Sequence, residues 1–166
     1  MNTLYLKYLL FFLSAGFANM VPVFFAKIFP KLNYPMDFFL TFRGKRLLGE
    51  HKTIRGFIGG SLIGSLFLLL FNKSIINESF IFIIFIPMSG LIGDAIKSFV
   101  KRQVGIKEGQ TFFPFDQLDW ILGLILALII FGYRDVVLIY MLLIGFLAHM
   151  LFKYLGYLLK LEDKFI

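Results

Sequence analysis

Residues 93–120 read GDAIKSFVKRQVGIKEGQTFFPFDQLDW and collect Asp94, Lys97, Ser98, Lys101, Arg102, Lys107, Glu108, Asp116 and Asp119. The stretch begins inside one apolar segment and ends at the mouth of another. Ionisable groups at a membrane boundary are costly, so this density in a chain that is 59% hydrophobic and 16% charged marks a functional site. A helix over 82–100 puts Asp94, Lys97, Ser98 and Lys101 at i, i+3, i+4 and i+7, on one face. Asp116 and Asp119 follow Pro114. If the next apolar run is already helical at Asp116, both share a face at a helix N-terminus, where negative charge is favoured. Acids beside bases suit a triphosphate held through Mg2+, with carboxylates taking the metal and cations the phosphates. The competing structural reading pairs Asp94 with Lys97 or Lys101 along its helix and leaves Asp116 and Asp119 as caps.

A second basic stretch, FLTFRGKRLLGEHKTIRG at 39–56, sets Arg43, Lys45, Arg46, Lys52 and Arg55 among Gly44, Gly49, Gly56 and Thr53. Glycine lets backbone amides approach a ligand, while Lys and Arg supply charge and paired donors for phosphate. Lys52, Thr53 and Arg55 sit where the next apolar run begins, so a phosphate there would also meet unpaired helix amides. The loop by itself fits a plain positive loop anchored on anionic headgroups equally well.

The elements that must carry these residues are five apolar segments, roughly 4–28, 54–71, 75–99, 118–131 and 136–159, in a single domain over 1–166. Each approaches or exceeds the ~20 residues that a bilayer core requires, the fourth being the shortest. The expected fold is all-α: a polytopic membrane protein with five transmembrane helices and two cytoplasmic loops forming a polar site. The mean hydropathy of +0.85 and 23 Phe agree with lipid-facing packing. Ser14-Ala15-Gly16-Phe17-Ala18 resembles a signal cleavage site, but the apolar run continues through Val21 and Phe25, so a retained span is expected, kinked near Pro22. Gly56, Gly60 and Gly64 form a small-residue stripe for close helix packing.

Fourteen of the 17 Lys and Arg fall in the first loop, the third loop or the C-terminal end; only Lys7, Lys73 and Arg134 lie on the other side. Cytoplasmic loops are enriched in such cations. The chain is therefore expected in the cell (inner) membrane, multi-pass, with its N-terminus outside and its C-terminus and active site cytoplasmic. The outer connections, near 72–74 and 132–135, are short. There is no cysteine, and His51 and His149 are the only histidines, which excludes thiolate chemistry and disfavours imidazole chemistry. In a chain this apolar the net charge of +7 points to cytoplasmic loops and anionic phosphate ligands, with no nucleic-acid partner. A non-enzymatic small transporter or lipid-binding protein is the alternative. A transporter would call for polar residues near the midplane of several spans and an internal repeat. Here the polar groups gather at one interface and no repeat is found.

G-D-x-x-x-S-x-x-K-R from Gly93 to Arg102, followed by Lys107-Glu108, Pro114 and D-x-x-D, resembles the signature of the membrane cytidylyltransferases, which make CDP-lipids from CTP and a lipid phosphate. G-x-x-K-T-x-R-G (Gly49, Lys52, Thr53, Arg55, Gly56) and P-x-D-Q-L-D (Pro114, Asp116, Gln117, Leu118, Asp119) resemble the short branch, the CDP-archaeol synthase family of small five-span proteins. Against the larger CDP-diacylglycerol synthase pattern, Glu108 replaces Asp, Gln117 replaces Arg and a glycine-histidine-glycine run is missing. These departures point away from a diacylglycerol substrate.

The resemblance implies a CTP-dependent transfer in phospholipid biosynthesis, with Mg2+ as cofactor and CTP, a lipid phosphate and membrane lipids as partners. Asp94, Asp116 and Asp119 would hold the metal, with Glu108 a further candidate. Lys52, Arg55, Lys101 and Arg102 would stabilise phosphates and the leaving pyrophosphate. Gly44, Lys45, Arg46, Gly49, Thr53, Gly56, Ser98 and Lys107 would contact the nucleotide. The lipid would arrive sideways from the inner leaflet, its tails between the spans.

Overall fold

Hydroxyl caps set where two of the apolar runs become helix. The Thr53 hydroxyl accepts the Gly56 amide at 3.3 Å, and the Ser79 hydroxyl accepts the Phe82 amide at 3.2 Å. Each satisfies an amide that the first helical turn leaves unpaired. The computed structural model describes residues 3–158. Its helices are α1 (Thr3–Ile28), α2 (Ile54–Phe71), α3 (Phe80–Gln103), α4 (Phe115–Ile130) and α5 (Val137–Leu158). The fold is all-α as expected, apart from a small antiparallel hairpin in the first loop, β1 (Thr41–Phe42) with β2 (Lys45–Arg46), which hydropathy gave no reason to expect. Arg43 and Gly44 turn that hairpin with φ of 52° and 72°. Positive φ at both central residues matches the twist of a tight hairpin.

Among the described residues, three helices are long and apolar enough to cross a membrane: Thr3–Ile28, Ile54–Ile76 and Phe80–Gln103. α1 continues through Pro22 to Ile28. The second helix outlasts its expected end because a π-helical turn, Asn72–Ile76, prolongs it. Asn77 closes that turn at φ 52°, its amide bonding the Asn72 carbonyl at 2.6 Å. The Asn72 side chain then holds both backbone groups of Glu78, at 2.9 and 3.2 Å. The outer connection is therefore 77–79 rather than 72–74, and α3 starts at Phe80 rather than near 75. α4 begins earlier than its apolar run, at Phe115, so Asp116 lies in its first turn. The last residue of the fifth expected segment, with Lys160 and Lys164, lies outside the described residues.

Apolar side chains gain little by leaving lipid for a protein interior, so close van der Waals contact must hold the helices together. A Cβ on Gly60 would stand 2.4 Å from the Ala18 carbonyl oxygen, and one on Gly64 2.3 Å from Pro87 Cβ. The glycine stripe thus seats α2 against α1 and α3, as packing rather than chemistry. The same device acts between α3 and α4. A Cβ on Gly93 would fall 2.2 Å from the Asp119 carbonyl oxygen, and one on Gly123 2.2 Å from that of Ser89. This crossing decides the site, because Asp94 and Asp119 flank it.

Phe11, Phe82, Ile86, Ile121, Leu124 and Leu128 fill the middle of the bundle, while Leu62, Leu70, Ile81, Leu126 and Ile130 face outward. At the end away from the acidic cluster, the Tyr8 hydroxyl donates to Asp135 and that of Tyr133 to Glu78 at 2.5 Å. These bonds tie α1, the start of α3 and the α4–α5 connection.

Candidate active site

α3 presents Asp94, Lys97 and Lys101 along one face, and α4 brings Asp116 and Asp119 up to it. The Lys97 ammonium is the centre of the group: it lies 3.2 Å from Asp94 Oδ1, 3.1 Å from Asp116 Oδ1 and 2.7 Å from Asp119 Oδ2. Lys52, from the first loop, pairs with the other oxygen of Asp94. Lys101 is buried and bonds Asp116 at 3.0 and 3.1 Å and the Gln110 carbonyl at 2.6 Å. Three carboxylates are thereby matched by three ammonium groups. Removing any partner from so enclosed a set leaves a charge poorly compensated. The acids are also held by backbone amides, Asp116 by Phe112 and Asp119 by Trp120, each at 2.6 Å. The three acids expected to act together do meet. The helix-internal pairing of Asp94 with Lys97 is present too, but as one arm of a three-way junction rather than an isolated pair.

Among the described residues, no group of three His, Asp or Glu side chains is arranged to hold a metal ion as they stand. The focus of the three carboxylates is taken by Lys97. Glu108 faces elsewhere: its carboxylate accepts the Glu50 amide at 2.9 Å and pairs with His51 at 3.4 Å and Arg102 at 4.0 Å. Glu108 also lies over Gly49, where a Cβ would fall 2.1 Å from the movable Glu108 Oε1 and the φ of 96° itself favours glycine. Ser98 is buried and returns its hydroxyl to the Asp94 carbonyl at 2.9 Å.

The first loop is folded onto the end of α3 by contacts that absorb much of its charge. Asp37 is its buried anchor, accepting from Arg46 Nη2 at 2.7 Å and Nε at 3.1 Å and from the amides of Phe39, Leu48 and Gly49. Burial opposes ionisation of Asp37, but the Arg46 guanidinium and those amides outweigh it and hold the carboxyl at about 2, against an ordinary 3.8. Lys45 donates to the Gln103 carbonyl at 2.7 Å. Arg55 bonds the Phe29 carbonyl and, at 3.3 Å, Asn33. Thr53 is the cap of α2 and Gly56 packs beside Pro22. Of the expected phosphate-binding cations in this loop, only Lys52 reaches the carboxylates. Gly44 at the hairpin turn is open on all sides, and Lys107 is exposed beyond α3.

Three residues stand out only in the structure. Lys97 shares the face of Asp94, which the i, i+3 spacing already signalled, but its place at the centre depends on α4. Asp37 was legible only as a lone acid before a run of cations. Gln117 is fully buried, with neither amide atom hydrogen-bonded to the protein. An apolar groove of about 300 Å3 runs between α3 and α4, lined by Ile96, Val100, Phe115, Leu122 and Leu126, with Lys97 and Asp119 also on its wall.

Carboxylates and lysines thus gather at one helix crossing, beside an apolar groove, in a protein with helices long and apolar enough to cross a membrane. The family model described as CarS-like CDP-archaeol synthase matches residues 1–166. The CDP-archaeol synthase of Thermofilum pendens is 35% identical over 161 residues, covering 93% of this chain and 78% of its own length. That of Methanopyrus kandleri is 33% identical over 166 residues, covering 95% and 91%. A solved structure described as an intramembrane enzyme for archaeal membrane lipids biosynthesis superposes with a TM-score of 0.72 at 28% identity, covering 92% of this chain and 94% of that one. The chain belongs to the CDP-archaeol synthase family, and is a CTP-dependent cytidylyltransferase that makes a CDP-lipid in membrane lipid biosynthesis.

Proposed function

We propose that the transfer takes place at the α3–α4 carboxylate cluster, with Mg2+ as cofactor and an isoprenoid ether lipid phosphate as acceptor. The observation that carries this reading is the convergence of three carboxylates from two helices on a single cation position. Their oxygens are the hard donors that Mg2+ takes. A polyanionic triphosphate would be repelled from them without a cation between. Asp94, Asp116 and Asp119 would hold the ion, which would supply positive charge against the triphosphate. Glu108 is placed to dock the first loop on the third.

The bond that forms joins a lipid-phosphate oxygen to the α-phosphorus of CTP, and the bond that breaks releases pyrophosphate with its electron pair. The nucleophile belongs to the substrate, since the chain has no cysteine and the Ser98 hydroxyl is engaged with a backbone carbonyl. The protein contributes position and positive charge. Lys52 and Lys101, at the rim of the cluster, would bind phosphate oxygens. Arg102 packs largely buried at the end of α3 and presents a planar fork suited to pyrophosphate.

The groove between α3 and α4 suits one lipid tail, with the phosphate beside Lys97 and Asp119 on its wall. The relatives are CDP-archaeol synthases, which makes an isoprenoid ether lipid phosphate the first acceptor to test. Five spans, with the N-terminus outside and the site cytoplasmic, agree with the one-sided distribution of Lys and Arg.

The test is labelled CTP with the purified protein and either an isoprenoid ether lipid phosphate or a diacyl phosphatidic acid. We expect labelled CDP-lipid from the ether lipid in the presence of Mg2+ and none with a chelator. Absence of product from every lipid phosphate would overturn the reaction, and product that persists in chelator would remove the metal from it.

A further inference from the structure

Lys97 has no part in the transfer described above, yet it holds the centre of the site. Of the three acids, Lys52 reaches only Asp94 and Lys101 only Asp116, whereas the Lys97 ammonium reaches one oxygen of each. Its side chain is only 16% exposed, so water screens this junction poorly. The oxygens it binds are the same ones a divalent cation would require. Two cations cannot share one focus, because like charges a few ångströms apart repel strongly away from bulk water. An ammonium on a four-carbon stem is also the kind of group that can leave: it is a compact point charge that can swing without disturbing its helix. It has somewhere to go, since Lys97 and Asp119 line the otherwise apolar α3–α4 groove.

We propose that Lys97 is a displaceable internal cation. It fills the carboxylate focus in the resting protein, yields that place to a divalent cation, and then carries its charge to the lipid phosphate at the mouth of the groove. The inference rests on the reading that Asp94, Asp116 and Asp119 hold the divalent cation. The charge inventory gives it a consequence. Three carboxylates and three lysines balance in the resting site. A divalent cation therefore brings two positive charges in excess, and incoming phosphates remove that excess. Cation and phosphate must then favour each other's binding, and by linkage they do so equally.

The test measures Mn2+ alone, by electron paramagnetic resonance, on the full-length protein in lipid nanodiscs. Lys97→Met keeps the stem and removes the competing charge. If Lys97 leaves the carboxylates free in a tenth of molecules or fewer, Lys97→Met binds Mn2+ at least about tenfold tighter than wild type, because an occupied site weakens apparent affinity by its free fraction. Equal or weaker binding by Lys97→Met overturns the proposal and leaves the metal reading standing. No Mn2+ binding by either protein, with or without CTP, overturns both.

A second measurement needs no variant and decides alone if Lys97→Met fails to fold. In wild type, acetylation of Lys97 followed by mass spectrometry should speed up several-fold when Mn2+ is added, roughly as its free fraction rises. Acetylation of Lys31, exposed on the first loop, should not change. Unchanged or slower labelling of Lys97 would refute the displacement.

Discussion

Gly93→Ala tests whether the α3–α4 crossing sets the chemistry. The added methyl would lie 2.2 Å from the Asp119 carbonyl oxygen and 3.2 Å from Gly123 Cα. A carbon and a carbonyl oxygen settle at ~3.3–3.6 Å, so the helices must part locally by about 1 Å. Neither neighbour is the flexible tip of a side chain. The displaced segment carries Asp119, whose carboxylate stands 2.7 Å from Lys97. Overpacking of this kind costs ~1–3 kcal/mol of stability. A misplacement of about 1 Å at reacting groups can lower a rate by ~100-fold, equivalent to ~2.7 kcal/mol of barrier. We therefore expect Gly93→Ala to remain folded in detergent and to lose CDP-lipid formation by about that factor. Gly16→Ala is the matched control, because the nearest atoms to its new methyl are 4.0 Å away on Trp120. The assay is turnover of labelled CTP alongside a thermal unfolding curve for each variant. Gly93→Ala turnover within threefold of wild type, with its unfolding curve intact, would refute the claim that this crossing distance positions the carboxylates.

Asp94→Asn, Asp116→Asn and Asp119→Asn should each nearly abolish turnover while membrane insertion persists; near wild-type rates at saturating Mg2+ in two of the three would sink the metal assignment. A cysteine at Asn77 or Gly132 should react with an impermeant maleimide added outside the cell, and one at Gly44 or Gln110 should not; the reverse pattern would invert the topology. Asp37 makes the first loop acid-sensitive. Its folded value of about 2 lies below the ordinary 3.8, so its contribution, of order 2 kcal/mol, is complete above the ordinary value and is lost as pH falls toward 2. Asp37→Asn should abolish that dependence and speed proteolysis within 37–52 at neutral pH, and an unchanged cleavage rate would count against the anchor.

Hydropathy and charge alone determined the class of this protein. Apolar runs of near-bilayer length have few other stable forms, and an acid among them must be paired or used, so Asp94, Asp116 and Asp119 were legible as one site. The glycine stripe of α2 was also legible, because four-residue spacing puts its members on one face whatever lies opposite. Periodicity assigns a residue to a face but cannot name what that face meets. Lys97 therefore read as one more cation beside Asp94, and became the centre only when Gly93 and Gly123 let α4 come close enough for its acids to join. The contacts within the first loop were not legible for a related reason. Five cations among glycines look like one phosphate cradle, but a loop's internal contacts have no period. The structure ties Arg46 to Asp37, Lys45 to Gln103 and Arg55 to the end of α1, and leaves Lys52 to reach the carboxylates. Glu108 likewise lies at the seam between the loops, where its carboxylate accepts the Glu50 amide. The residue types set what chemistry the site can do, and the helix crossing decided which of those residues share it.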